Sequence, residues 1–209
     1  MSVVGQLERK TQDRVVKLFQ GQLHYDYLCS WEDRTGNSNL EEALLRQNLK
    51  ARGYDDLIVT KAVHEFLKAS SLGGGRTLYE ANRDVYDLLR YGVKVKRGVA
   101  EQFETVWFID WKTPTANHFV IAEEVAIAGE HNKRPDIVLY VNGIAVGVIE
   151  LKRSKISVSE GIRQNIGNQK KDFIRPFFST VQFLFAGNDV EGLRYAVIDT
   201  SEKYWLEWK

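Results

Sequence analysis

The hydrophobic pattern of the 209-residue chain changes its period near Gly92. Before that point apolar residues recur every three or four positions, which is the period of an amphipathic helix. The pattern predicts one short strand over residues 24–30. It predicts helices over residues 8–23, 37–53, 58–69 and 79–91.

After Gly92 the apolar residues follow the pattern of strands, with one clear helix over residues 157–171. The predicted strands cover residues 93–97, 104–111, 118–129, 134–141, 144–152, 181–186 and 193–199. A long antiparallel front with a single crossover predicts an α/β fold, with a mixed, largely antiparallel sheet flanked by helices. We expect a mainly helical N-terminal part (1–91) packed on a core (92–200), followed by a tail (201–209).

Two apolar runs joined at Asn142-Gly143 predict a β-hairpin at the centre of this sheet. Asn-Gly is a strong signal for a short hairpin turn, and apolar residues at odd and even positions alike indicate that both faces are covered. Asp136 opens the first run. Glu150 and Lys152 close the second run and project from one face, because alternate residues of a strand share a face.

The register of the hairpin decides whether Asp136 and Glu150 can meet. A two-residue turn at Asn142-Gly143 without any bulge would place the two acids on opposite faces of the strand pair. A loop with an odd number of residues restores a shared face, and the commonest such loop has three residues and ends in a bulge. We therefore predict a three-residue turn over residues 141–143, with the bulge at Gly143.

Two carboxylates on neighbouring strands form an oxygen-rich, negative place that suits Mg²⁺ better than a soft metal. A lysine beside them can orient a water molecule and stabilise charge that develops on a phosphate. Asp136, Glu150 and Lys152 therefore indicate phosphodiester hydrolysis. The alternative is a strand-opening turn and a solvated strand end, but solvated charges seldom follow a run as apolar as residues 144–149.

Pro135-Asp136 followed by Glu150-Leu151-Lys152 resembles the PD-(D/E)xK nuclease motif. The wider sequence is similar to the N-terminal nuclease domain of the R (motor) subunit of type I restriction endonucleases, and this similarity extends over most of the chain. It implies a restriction-endonuclease-like core and a magnesium-dependent DNA endonuclease. In such an enzyme Asp136 and Glu150 bind the metal, Leu151 lends its carbonyl oxygen, and Lys152 activates or positions the water.

The helix at 157–171 holds the second informative segment. Ser157 with Glu160 predicts a capping box at its start. Gln164 matches the glutamine of the Gln-x-x-x-Tyr motif of the resembling family, which implies that it orients groups of the active site. The fourth residue on is Asn168, so the sequence departs from the family at the tyrosine, and the tyrosine's role is in doubt here.

Basic residues are concentrated directly after the acidic site, with seven cations against two anions between Lys152 and Arg175. Such side chains can hold a DNA backbone without reading its sequence. An ordinary exposed helix face is the alternative for each one. The candidates for DNA-backbone contacts are Arg153, Lys155, Arg163, Lys170 and Lys171.

The resemblance also implies an acid from the first helix, and Glu8 best matches that position as a further metal ligand. The alternative is a solvated glutamate that favours the helix dipole. The four histidines lack the spacing of a metal site. In the C-terminal tail, Trp205 and Trp208 should either pack back on the core or form an interface.

The resemblance implies DNA as a partner, together with the methyltransferase and specificity subunits of a type I restriction complex. The chain has no phosphate-binding loop, so we expect ATP to serve only a longer subunit that carries a motor. A single cysteine, the lack of a leader and the lack of a sufficiently long apolar run predict a cytoplasmic protein away from membranes. The formal charge of +1 gives no signal for nucleic acid.

Two other functions fit the same residues. The chain could be a catalytically idle docking module that places a motor on its partner subunits, although the intact trio of Asp136, Glu150 and Lys152 speaks against this. It could also be another nuclease with the same motif, of the repair or recombination type.

Overall fold

The computed structural model describes residues 3–209, with side chains described from Arg9 onwards. The helices are α1 (Val3–Gly21), α2 (Glu42–Ala51), α3 (Asp56–Ser70), α4 (Leu78–Tyr91) and α5 (Val158–Asn168). The strands are β1 (Asp26–Ser30), β2 (Val93–Val95), β3 (Glu104–Val106), β4 (Phe119–Glu123), β5 (Ile137–Val141), β6 (Ile144–Leu151), β7 (Phe183–Asn188), β8 (Gly192–Ala196) and β9 (Leu206–Glu207).

Seven of these strands form one sheet in the order β1-β4-β5-β6-β7-β8-β9, and β2 pairs with β3 in a separate hairpin. The β1–β4 and β6–β7 pairs are parallel, and the other neighbours in the large sheet are antiparallel. Helix α5 supplies the crossover between the parallel strands β6 and β7. The predicted α/β fold with a mixed, largely antiparallel sheet is confirmed.

Helices cover both faces of the central strands. Val138 and Val148 belong to the core on the α5 side of the sheet. Leu139 and Ile149, which alternate with them, pack with Val16 of α1 on the other side. Because both faces of β5 and β6 are buried, the two strands contain apolar residues at odd and even positions alike.

Helices α2, α3 and α4 form a third cluster with the β2–β3 hairpin at the turn end of β5 and β6. Its fully buried members include Leu45, Phe66, Val85 and Phe108. Among the described residues, no helix is both long and apolar enough to cross a membrane. The division into parts at 1–91 and 92–200 stays a prediction about folding units.

Trp205 and Trp208 of the tail have different environments. Trp205 is buried in the core on the α5 side. Trp208 is half exposed and makes edge contacts with Phe185 and Tyr195. The tail therefore packs back on the sheet, and part of its aromatic surface faces solvent.

The turn between β5 and β6 has two residues, Asn142 and Gly143, both with positive φ, at 52° and 84°. The predicted three-residue turn is therefore wrong. The predicted odd register is correct, because a bulge lies three residues after Gly143, where Val146 has no pairing partner on β5. Beyond that bulge Gly147 pairs with Leu139. The two-residue turn is compatible with a shared acidic site only because of this bulge.

Asn142 fixes the turn to the rest of the protein. Its side chain is fully buried, and Nδ2 donates to Phe108 O and Asn117 Oδ1, each at 2.8 Å. Its Oδ1 accepts from His118 N at 2.7 Å. Gly143 packs against the start of α2, where a Cβ atom would lie 2.6 Å from Glu41 O. The turn is thus held by hydrogen bonds on one side and by close packing on the other.

We predict that Gly143→Ala lowers the free energy of unfolding by about 2 to 4 kcal/mol, because strain at positive φ and a backbone clash add together. Urea denaturation followed by circular dichroism measures this loss.

Gly53→Ala is the matched control, since Gly53 also has a positive φ, at 92°, but no atom lies within 4 Å of its virtual Cβ. It should lose only the conformational part, about 1 kcal/mol. Equal losses in the two variants would contradict the clamp between the turn and α2.

Candidate active site

The bulge brings two acids to one end of the hairpin. The register pairs Ile137 with Ile149, so its continuation by one residue sets Asp136 opposite Glu150. Asp136 Oδ2 accepts a hydrogen bond from Leu151 N at 2.6 Å, so its carboxylate reaches the end of β6.

Both acids lie on the α5 side of the sheet. Glu150 is two residues beyond Val148, and Asp136 is two residues before Val138, and these valines pack in the α5-side core. Alternate strand residues share a face, so Glu150 and the position of Asp136, directly before β5, lie on the same side of the sheet.

Helix α5 provides amide groups to the Glu150 carboxylate. Gln164 Nε2 donates to Glu150 Oε2 at 2.6 Å, and Asn168 Nδ2 lies 3.4 Å from Glu150 Oε1. The two amides are four residues apart and therefore lie on one face of the helix. Glu150 has 0% exposure, and hydrogen bonds to a buried carboxylate are strong because the local dielectric constant is low.

Lys152 follows β6 and is partly buried. Its Nζ donates to Leu151 O at 3.0 Å, and its backbone N donates to Gly187 O at 2.9 Å. The second bond fixes the end of β6 to β7. The ammonium group therefore lies at the strand end that carries the two carboxylates.

The donor atoms at this end suit a hard divalent cation. They are the carboxylates of Asp136 and Glu150 and the carbonyl oxygen of Leu151. Within the side chains that the structure describes, no group of three or more His, Cys, Asp or Glu residues could hold a metal. Mg²⁺ needs fewer protein ligands than that, since it is commonly held by one or two carboxylates with waters and substrate phosphates. The residues present fit Mg²⁺.

Gln12 of α1 makes contacts near the acidic site that the sequence did not indicate. It is buried, and Nε2 donates to Asp136 O at 3.2 Å and to Glu124 Oε1 at 3.1 Å. Arg134 Nε lies 2.8 Å from Glu124 Oε2. The only sequence signal for Gln12 was its position one helical turn after Glu8. The side chain of Glu8 lies outside the described residues, and its role as a metal ligand stays a prediction.

Four of the five predicted DNA-backbone residues lie on two segments around α5, and Arg163 lies within the helix. Arg153 and Lys155 follow β6, and Lys170 and Lys171 follow α5, with all but Arg153 exposed. Arg163 forms two hydrogen bonds with Glu202, both at 3.0 Å, and one with Glu160 at 2.8 Å. The hydrogen bonds with Glu202 raise the pKa of Arg163. Two carboxylates thus compensate this guanidinium.

The start of α5 is fixed by Glu191 of the β7–β8 turn. Ser157 Oγ accepts from Ser159 N, and the predicted capping box with Glu160 is not formed, because the Glu160 side chain pairs with an arginine instead. Glu191 Oε1 accepts from Val158 N at 3.0 Å. That hydrogen bond holds the pKa of Glu191 below its usual value.

Comparisons with known proteins show the family of the chain. The family model described as the type I restriction enzyme R protein N terminus matches residues 5–203. The chain is 25% identical over 138 residues to the type I restriction enzyme SauCOLORF180P endonuclease subunit of Staphylococcus aureus (strain COL). It is 26% identical over 140 residues to the type I restriction enzyme SsaAORF53P endonuclease subunit of Staphylococcus saprophyticus. These matches cover 66% and 67% of this chain but only 14% of each relative.

We predict that Glu191→Gln destabilises the protein at neutral pH and that its difference from the parent disappears in acid. A carboxylate with a lowered folded-state pKa stabilises the fold above its unfolded pKa, near 4.5, and loses that effect as the pH falls through the folded value. Urea denaturation at pH 7 and at several values below 4.5 measures both free energies. A difference in free energy of unfolding between Glu191→Gln and the parent that stays constant throughout the acid range would contradict the role of Glu191 as a cap of α5.

Proposed function

Because the chain belongs to the family of the type I restriction enzyme R protein N terminus, we propose that it is the DNA-cleaving part of an endonuclease subunit. The observation that carries the proposal is the hydrogen bond from Leu151 N to the carboxylate of Asp136, which brings this acid to the strand end that bears Glu150 and Lys152. The relatives named above are called endonuclease subunits, which supports the same reaction.

We propose that Asp136, Glu150 and the carbonyl of Leu151 hold Mg²⁺. When bound, this ion polarises the phosphoryl oxygen and lowers the pKa of a coordinated water. Lys152 then has to turn its ammonium group from the Leu151 carbonyl towards the water or the phosphate. There it orients the attacking water and stabilises charge on the phosphate oxygens. Water adds to phosphorus as the bond to the leaving deoxyribose oxygen breaks; the attacking water gives a proton to solvent, and the leaving oxygen takes one up from solvent.

Gln164 and Asn168 act through Glu150 in this proposal. Both amides donate to its carboxylate and so fix the direction of its oxygens. Partners of this kind, one step removed from a metal, tune its affinity and the reaction rate. Asn168 provides a hydrogen bond where the resembling family has a tyrosine, and it does so without an aromatic ring.

We propose DNA as the substrate and the methyltransferase and specificity subunits as the protein partners. Lys170 and Lys171 would contact the DNA backbone on one side of the site, and Arg153 and Lys155 on the other. Arg163 should contribute less, since Glu160 and Glu202 already compensate its charge. ATP would serve only a longer subunit with a motor.

We predict that Asp136→Asn, Glu150→Gln and Lys152→Met each reduce magnesium-dependent plasmid cleavage at least about a hundredfold, because each removes a group that stabilises the transition state. Cleavage is measured with the full-length subunit assembled with its partners. Circular dichroism checks that each variant remains folded.

Lys112→Met is the control, because Lys112 is an exposed lysine near the turn end of the hairpin, away from the acids. It should cut as the parent does. Cleavage that survives both Asp136→Asn and Lys152→Met would overturn the proposed site.

We predict that Gln164→Ala lowers cleavage by about ten- to a hundredfold and raises the Mg²⁺ concentration needed for half-maximal rate. The reason is the loss of the 2.6 Å hydrogen bond to Glu150. Excess Mg²⁺ should restore part of the rate, which a purely structural defect would not allow.

Asn165→Ala is the matched control on the same helix. Asn165 is fully buried and donates to Phe185 O at 3.0 Å, so its loss should lower stability. Its magnesium requirement should stay that of the parent. An unchanged requirement in Gln164→Ala as well would show that Gln164 does not position Glu150.

A further inference from the structure

Helix α1 forms one wall of a groove that lies near the end of β6. The groove encloses about 400 Å³ and is lined by Lys10, Thr11, Asp13, Arg14 and Lys17 of α1, and by Ser154 and Asp189. Ser154 lies two residues after Lys152, so the groove continues directly from the end of β6.

Three contacts hold α1 across this edge of the sheet. Thr11 Oγ1 donates to Asp189 Oδ2 at 3.0 Å, and Arg14 pairs with the same carboxylate. Gln12 donates to Asp136 O at 3.2 Å. Adjacent residues of α1 are thus fixed to the β7–β8 turn and to the first acid of the site, so the helix lies over the end of β6.

Lys10 and Lys17 are the cations of this groove that have no carboxylate partner among the described side chains. Arg14 pairs with Asp189, and Asp13 pairs with Arg9 at 3.2 Å. Among the residues that the structure describes, neither lysine has an ion pair, and both are exposed. Two lysines therefore line the groove outside the ion pairs that its acids form with Arg9 and Arg14.

The spacing of the two lysines suits a nucleic-acid strand. They lie seven residues apart, which is two turns of helix and about 10.5 Å along its axis. Successive phosphates of one DNA strand rise by about 3.4 Å, so the lysines span about three base steps. Lysines in such an arrangement neutralise phosphates without reading the sequence.

We propose that the groove beside α1 binds the DNA backbone next to the phosphate that is cut, through Lys10 and Lys17. This inference rests on the proposed function and adds a binding surface that the acidic motif and the basic segment after it do not contain. The DNA then runs between α1 and the segment that carries Arg153 and Lys155, with the carboxylates at the end of the groove.

The test compares the double variant Lys10→Gln/Lys17→Gln with the parent in the full-length protein. A short fluorescent duplex is bound in EDTA, so that no cleavage occurs, and its anisotropy is followed over a range of salt concentrations. We expect the affinity at low salt to fall about three- to tenfold. The slope of log K against log salt should decrease in magnitude by about 0.9 for each lysine.

The control is Lys94→Gln/Lys112→Gln, which removes two exposed lysines outside the groove. Its affinity and its slope should match those of the parent. Circular dichroism and the unfolding midpoint check that all variants are folded.

An unchanged DNA affinity and salt slope in Lys10→Gln/Lys17→Gln would overturn this assignment. An acidic protein partner for the groove would give that same result. A similar loss in the control variant would also overturn it, since the effect would then follow net charge alone. The assay contains no divalent metal and scores only binding. Failure of the proposed nuclease function, scored by plasmid cleavage, is therefore a separate result.

Discussion

The site depends on one unpaired residue in a buried strand. Successive side chains of a strand point to opposite faces, so a single extra residue moves everything beyond it to the other face. Val146 is that residue, and without it the two-residue turn would set Asp136 and Glu150 on opposite faces of the sheet. The hydrogen bonds of Asn142 and the close packing of Gly143 hold the turn in place. The register is consequently specified by the turn and by the bulge close to it.

The end of the sheet that holds Asp136 and Glu150 carries buried charge on both of its faces. Glu150 is fully buried on the α5 side, and two amides of α5 donate to it. Glu123 is buried on the α1 side, where it pairs with Arg9 and accepts from Tyr27. Burial, and then the Glu123 carboxylate, raises the pKa of Tyr27. Among the described residues, Glu123 Oε1 has no hydrogen-bond partner. Buried acids lower stability unless they are compensated, so this edge is a place where function and stability compete.

The sequence was sufficient for the fold class and the central hairpin, because both follow from periodicity and the Asn-Gly turn. The odd register was predicted on a different ground, namely that Asp136 and Glu150 must share a face to form one site. It could not locate the bulge, since Val146 is an apolar residue in an apolar run and has no local signal. The hydrophobic pattern also could not predict contacts between segments that are distant in the sequence. Gln12 contacts a residue 124 positions away, and Arg163 contacts one 39 positions away. The local sequence predicted an N-cap at Ser157. In the folded protein Glu191 also accepts a hydrogen bond at this end of α5.

The order of synthesis has a consequence for α1. Its apolar face, with Val16 at the centre, packs on β4, β5 and β6, which are translated more than a hundred residues later. The edge strand β1 has a similar but shorter delay, since it pairs in parallel with β4, as in the pair of Asp26 with Val120. Until those strands leave the ribosome, the apolar face of the helix is exposed, and chaperones or neighbouring nascent chains can bind it. A high contact order of this kind slows folding. Helix α1 can dock only after these later strands have been made.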